Sequence, residues 1–479
     1  MSWKKNAWNS GILCGDIFQG DYEAMRQKGN NRNTGNGITE GAIWKQLLYF
    51  FFPILLGTFF QQLYNTIDMV IVGRFVGKEA LACVGGSAGQ IINLVVGFFT
   101  GLSAGAGVII SQFYGAKDAG GLNDGIHTAY ALSIAGSIVF TILGILISPV
   151  MLGWMNTSEE LMEGSAVYLR IYFAGILFVF VYNIGSGILR ALGDSKRPLY
   201  YLILCSLVNI VLDLVMVLGL KMGVAGVALA TVMAQGVSAV LVTRALMKSQ
   251  DIYRLELRKI RFHMHTMRRQ MYLGLPGGFQ SVMYSLSNII IQSAVNVYGT
   301  NATAAWAAIG KVDAIFWMIS GAFGVSITTF VGQNYGAGKM DRVEKGVKIC
   351  LGMDQAASIL VSALLLVFRY PLLGIFTSDL EVIRIGAHFM EMLVPCYVIF
   401  SFIEIFSSAL RGTGDVIIPM ILTLFGVCLL RIVWIFLAVP VWPSLDTIVF
   451  NYPLTWGVTA VLFILYYRKK IHRIAVSRK

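Results

Sequence analysis

Residues 91–116 read IINLVVGFFTGLSAGAGVIISQFYGA, a run without a single Asp, Glu, Lys or Arg. A helix needs about 20 mostly apolar residues to cross the hydrocarbon of a bilayer, and this stretch supplies them. Its closing pentapeptide, Gln112-Phe-Tyr-Gly-Ala116, returns as Gln333-Asn-Tyr-Gly-Ala337 at the end of another apolar run. The same offset joins Leu189-Arg-Ala-Leu-Gly-Asp194 to Leu410-Arg-Gly-Thr-Gly-Asp415, and Gly236-Val-Ser-Ala-Val-Leu241 to Gly457-Val-Thr-Ala-Val-Leu462. Three matches at one offset are not coincidence; they mark a duplication. One stretch thus sets both expectations, a membrane-spanning chain and two copies of one unit.

Composition agrees. Of 479 residues, 56% are apolar and only 13% charged, against about 25% charged in a soluble protein. Mean hydropathy is +0.71. So few charges cannot cover a soluble surface of this size, which excludes disorder, a soluble enzyme and a water-soluble DNA binder. Twelve spans are expected, near 47–73, 80–113, 125–149, 165–189, 198–219, 223–247, 271–297, 303–331, 347–368, 386–410, 416–439 and 449–467. Several exceed the minimum and imply tilt. The fold class is an all-α polytopic membrane protein.

The net charge of +12 reads as topology rather than as nucleic-acid binding, because basic residues gather in cytoplasmic loops. With both termini cytoplasmic, only Arg74, Lys78, Lys221, Arg369 and Arg384 fall in outside loops, and only Arg170, Lys311 and Arg431 within spans. The rest of the 37 Lys and Arg lie inside. The expected organisation is a cytoplasmic tail (1–45), a first lobe (46–248), a basic linker (249–270), a second lobe (271–467) and a basic tail (468–479). Six spans per copy give both halves one orientation, so an axis along the membrane normal relates them. The linker, with Arg254, Arg258, Lys259, Arg261, Arg268 and Arg269, reads as a solvated loop, with lipid headgroups as the functional alternative.

Several chemistries find no support. Residues 1–45 are polar, with no early apolar core of a signal peptide. Gly336-Ala-Gly-Lys339 is followed by Met340 rather than Ser or Thr, so it is no phosphate-binding loop. His127, His263, His265, His388 and His472 are dispersed, and Cys14, Cys83, Cys205, Cys350, Cys396 and Cys428 form no CxxC. No nucleophile or catalytic carboxylate pair stands out. Neither a cofactor nor a resident metal is expected, and the chain reads as a monomer in membrane lipid.

Ionisable groups inside spans are costly and mark ion or substrate paths. Asp68 lies in Tyr64-Asn65-Thr66-Ile67-Asp68 of the first span. In the fifth, Asn209 and Asp213 are four apart and share one helix face. Thr231 and Asn183 add polar groups in the sixth and fourth. The second half does not repeat this set, since Leu430, Trp434 and Tyr452 stand where the offset places Asn209, Asp213 and Thr231. Arg170, Lys311, Asp313, Glu391, Glu404 and Arg431 are further charges inside or near spans, and Glu404 with Arg431 reads as a structural or gating pair, with substrate binding as the alternative. Arg190 and Arg411 are set at helix ends, where they meet the negative end of the helix dipole.

Together these strings resemble the multidrug and toxic compound extrusion (MATE) family, within the superfamily that also holds oligosaccharide-lipid flippases. The resemblance covers residues 45–467. It rests on Tyr64–Asp68 with Val72-Gly73-Arg74, on Gln112-Phe-Tyr-Gly115, on both Leu-Arg-x-x-Gly-Asp strings, on Asn209-Ile-Val-Leu-Asp213 and on Ala230-Thr231. It implies two six-helix lobes in a V, and export of amphipathic organic cations or drugs in exchange for H+ or Na+. By the DinF-like branch it implies a cation site at Asp68, Asn209, Asp213 and Thr231, with Asn183 as a further contributor. The NorM-like branch uses carboxylates of the seventh and tenth helices. Here the seventh carries Gln280, Tyr284, Ser285 and Asn288 and no carboxylate. Tyr64, Gln280, Tyr284, Asn288, Glu404 and Arg431 remain cavity or gating candidates. A lipid-precursor flippase is the alternative function, and the cell membrane the expected location.

Overall fold

The computed structural model describes residues 38–249 and 251–477. Cys14 and most of the expected N-terminal tail lie outside the described residues, as do the last two residues of the C-terminal tail. In chain order the helices are α1 (Ile43–Val76), α2 (Lys78–Gly115), α3 (Ala119–Trp154), α4 (Glu159–Ala174 and Ile176–Ala191), α5 (Lys196–Gly219) and α6 (Gly223–Met247). The second half has α7 (Met264–Asn296), α8 (Thr300–Gly336), α9 (Met340–Val367), α10 (Leu380–Thr413), α11 (Ile417–Ala438) and α12 (Leu445–Lys470). Among the described residues there is no β-strand.

By length and composition, ten of these are apolar enough to cross a membrane, and the two parts of α4 together make an eleventh. The twelfth, α7, is 33 residues long but interrupted by Gln280, Ser281, Ser285, Asn288 and Gln292. All five line a central cavity. A helix that faces a wet cavity can cross a membrane with a polar stripe, which explains its weak apolar signal. Two boundaries differ from the sequence reading. The linker turns helical at Met264, and the last helix runs on to Ser477, through much of the expected tail.

The linker is also less solvated than expected. Leu255 is buried, and the Glu256 backbone N–H donates to His127 Nε2 (3.1 Å). His127 Nδ1 lies 2.8 Å from the Asn123 carbonyl; accepting at Nε2 puts the ring proton on Nδ1. This histidine is a buried seat for the loop.

Two buried cores form the lobes, one dominated by α2–α6 and the other by α8–α12. Helix α1 belongs to both. Leu47, Phe50 and Phe51 lie in the second core, with Phe51 stacked on Phe323 of α8 at 4.1 Å. Ile71 and Val72, beyond Pro53, lie in the first. The counterpart α7 likewise crosses over to α2. A Cβ on Gly105 would fall 2.3 Å from Gly274 N, and one on Gly101 2.4 Å from Gly277 C. Glycine on both sides lets these backbones touch, as in other close membrane helix pairs. Each half therefore rests its first helix on the second helix of the other half.

At the face carrying both ends of the helical core, the lobes are fastened by two equivalent hydrogen bonds. Gln112 Nε2 of α2 donates to the Gly412 carbonyl (2.9 Å), and Gln333 Nε2 of α8 donates to the Ala191 carbonyl (2.7 Å). Two of the three recurring strings of the sequence supply this fastening. From it the lobes diverge as a V around the cavity.

Helix α4 bends by 50° at Gly175. A Cβ there would lie 2.2 Å from Val232 Cγ1 of α6, and a β-branched valine has no free rotamer to escape to. Gly175→Ala should destabilise the protein by about 1–3 kcal/mol, the usual range for overpacking. A lower thermal midpoint of the purified protein is the readout; an unchanged midpoint would show that α6 yields freely.

Candidate functional site

The first lobe gathers the carboxylates. Asp68 lies in the last turn of the regular part of α1, which ends at Ile71, ahead of the π-helical turn Val72–Val76. Asp213 is the last regular residue of α5, directly before the π-helical turn Leu214–Gly219. Such turns recur at functional positions; here one follows Asp213 directly and the other begins one turn after Asp68. The two side chains face each other. Asp213 is fully buried and Asp68 nearly so. Asp68 Oδ1 and both oxygens of Asp213 lack a hydrogen-bond partner. Asn209, one turn before Asp213, is buried with both amide atoms unpartnered. Tyr64, Tyr168 and Tyr172 stand close by, each fully or nearly buried. Unsatisfied oxygens in such a place suit a proton or a small cation and little else.

Two sequence candidates sit differently. The Thr231 hydroxyl donates to the Val227 carbonyl of its own helix (3.0 Å). Asn183 faces the central cavity, its amide donating to Val179 O (2.8 Å).

The central cavity has a volume of about 860 Å³ and is lined from both lobes, in the range of small-molecule sites. Gln280, Tyr284, Asn288, Glu404 and Arg431 all line it. One wall is aromatic, with Trp317 against Phe400 (4.7 Å between ring centres) and Tyr452 against Trp456 (5.4 Å). Such faces attract organic cations.

The expected pair of Glu404 with Arg431 does not form. Glu404 Oε1 instead meets Arg411 Nη2, seven residues on along the same helix, at 3.6 Å. Ser408 bridges them, donating to Glu404 and accepting from Arg411 (2.7 Å). Arg431 lies over the Tyr452 ring (4.2 Å) and donates to Asn288 Oδ1 (3.4 Å). Two turns of helix restore one face, so Glu404 finds its partner on its own helix first.

Two carboxylates and two tyrosines were missing from the site as read from sequence. Asp313 lines the cavity and accepts a hydrogen bond from the Tyr397 hydroxyl. It was visible as a charge in a span, but nothing local ties it to Tyr397, 84 positions away. Asp354 of α9 is fully buried, with both carboxylate oxygens unpartnered. A lone carboxylate inside the expected ninth span was signal enough to find it. Of the tyrosines near Asp68, Tyr64 was a candidate from sequence, whereas Tyr168 and Tyr172 gave no signal and read as ordinary core residues. Among the described residues no cluster of His, Cys, Asp and Glu has the makings of a metal centre.

Comparison with known proteins agrees with this geometry. The MatE family model matches twice, over residues 53–215 and 276–437, once in each half. The chain is 28% identical over 393 residues to the "Probable multidrug resistance protein YoeA" of Bacillus subtilis (strain 168), covering 81% of this chain and 85% of that protein. It is 20% identical to the "Multidrug export protein MepA" of Staphylococcus aureus (strain MSSA476), covering 78% and 82%. Among solved structures, one described as "Outward-facing conformation of a multidrug resistance MATE family transporter of the MOP superfamily" superposes with a TM-score of 0.86 at 22% identity. It covers 94% of this chain and 100% of that one. A MOP superfamily transporter from Pyrococcus furiosus, described as having a binding pocket of reverse polarity, gives 0.85 at 22% identity, covering 92% and 99%. Two six-helix lobes closed at one face, a cavity between them and a family match over most of each half lead to one conclusion: the chain belongs to the MatE family of membrane transporters and is not an enzyme.

Proposed function

We propose that this protein is a secondary active multidrug efflux antiporter, exporting amphipathic organic cations in exchange for H+ or Na+ by alternating access. The observation that carries the reading is the facing pair Asp68 and Asp213, buried without a cationic partner and separate from the cavity lining. Two like charges in contact inside a low-dielectric lobe repel strongly, so the pair takes up a proton or a cation. Asn209 adds an amide oxygen for a cation. The proposed orientation puts the fastened face in the cytoplasm, following the basic loops, and the protein in the plasma membrane. The cavity then faces outward, where an organic cation leaves its aromatic wall as the coupling ion enters the first lobe. Because α1 joins the cores of both lobes, a shift at Asp68 reaches the fastened face directly.

A flippase for lipid-linked precursors would want a strongly cationic cavity. Of the three arginines lining this cavity, Arg411 is neutralised by Glu404 and Arg431 rests on an aromatic ring. One remaining arginine, Arg190, does not make a strongly cationic cavity, so the antiport reading is preferred. The test is ethidium movement in liposomes holding purified protein, with either a pH or a Na+ gradient imposed. One pH unit is about 1.4 kcal/mol, enough for about tenfold accumulation by one-for-one electroneutral exchange. Accumulation should follow one of the two gradients. Flux that ignores both would sink the proposal.

A further inference from the structure

The two halves place the same arginine at the end of the same helix but surround it differently. Arg190 closes α4 as Arg411 closes α10, and both line the cavity. Seven residues earlier, Asn183 stands in α4 where Glu404 stands in α10. In the second half the carboxylate neutralises its arginine at 3.6 Å, with Ser408 between them. In the first half the amide has no charge to offer, and it is turned to Val179 O at 2.8 Å. Both arginines meet the negative end of their own helix, so the helix dipole does not account for the difference.

Among the described residues, Arg190 has no ion pair and no side-chain hydrogen bond, and the phenol of Tyr182 stands beside it. It is half-buried at the closed end of the cavity, one residue from Ala191, whose carbonyl receives Gln333. A guanidinium presents a planar fork of donors suited to a carboxylate, and a partly desolvated one without a counter-ion is costly to maintain.

We propose that Arg190 is an anion-binding subsite of the cavity, and that the transported molecules include amphipathic zwitterions whose carboxylate pairs with it. The inference rests on the export reading and narrows its substrate class. The cationic part and the apolar body lie in the remaining cavity, against its aromatic wall. The asymmetry between Asn183 and Glu404 keeps one of the two arginines free for the substrate.

The experiment uses two dyes that differ in one group, rhodamine 110, which bears a free carboxylate, and its methyl ester rhodamine 123. Binding of each to the purified full-length protein is measured by fluorescence polarisation, in gluconate and in chloride buffers. The readout is the acid-to-ester affinity ratio. Arg190→Gln should lower this ratio about tenfold, the loss expected for one charge-assisted contact. Arg190→Lys, which keeps the charge and the helix-end interaction, should recover part of it. An equal loss for both dyes, or no change in the ratio, would overturn the proposal. So would chloride-dependent binding of both dyes that disappears in the variant, since that assigns Arg190 to an inorganic ion. Wild-type protein that binds only the ester refutes the subsite but leaves export standing. Wild-type protein that binds neither dye refutes both.

Discussion

Asp68→Asn and Asp213→Asn are each expected to abolish gradient-driven efflux, lowering the initial rate at least about tenfold, equivalent to about 1.4 kcal/mol of lost coupling. Asparagine keeps the volume and removes the charge. It cannot release a proton, and it leaves one carboxylate where a cation needs the pair. The same substitutions should leave the fold intact, since each takes a second like charge out of a buried site without a cationic partner. Relief of that burial makes the thermal midpoint equal to or higher than the wild type's. The joint result is diagnostic: transport lost, stability kept. A fall in both would mark the pair as structural glue between α1 and α5. Wild-type efflux in either variant would end the assignment of the coupling site.

Gly105→Leu should stop transport by a different route. The closed face requires α2 and α7 to touch backbone to backbone, and a Cβ at Gly105 already overlaps Gly274, with Leu273 C at 2.6 Å. No rotamer removes a Cβ. Overpacking costs about 1–3 kcal/mol and acts only on the state in which these helices meet. That corresponds to about a ten- to hundredfold shift of the population away from it. Efflux should fall while the protein still inserts and purifies as a folded species. A cysteine placed at Ser103, which lines the cavity, should then react with a membrane-impermeant thiol reagent from the fastened face, where the wild type is sealed. Labelling only from the other side would show that the lobes close without this contact.

Much of the architecture was legible because the bilayer imposes a simple rule on sequence. Apolar runs of sufficient length have to be helices, and the repeated Gln-x-Tyr-Gly-Ala and Leu-Arg-x-x-Gly-Asp strings aligned the halves. What the repeats are for was not legible. Gln112 read as a family marker and Gln333 as its repeat, and only the fold brings each to the carbonyl of the other lobe. The polar face of α7 weakened its span signal for the same reason that it lines the cavity. Asp68 and Asp213 stood out by their cost in a membrane, whereas their contact depends on how α1 and α5 pack. Charge partners were the least legible. Glu404 and Arg431 look like a pair on adjacent helices, and a nearer arginine on Glu404's own helix decides otherwise. Asp354 was overlooked in a span that otherwise reads as plain lipid-facing helix.

The reciprocal glutamines carry a consequence about ancestry. Each half supplies one donor and one acceptor to the same join, which makes the surface self-complementary, the mark of a twofold homodimer. Two separate six-helix chains would need no new residue to dock this way. The modern chain is then a dimer tied by a linker. Its symmetry persists where the partners hold each other, and it has decayed at Asn183 and Glu404, where a single unequal site is enough.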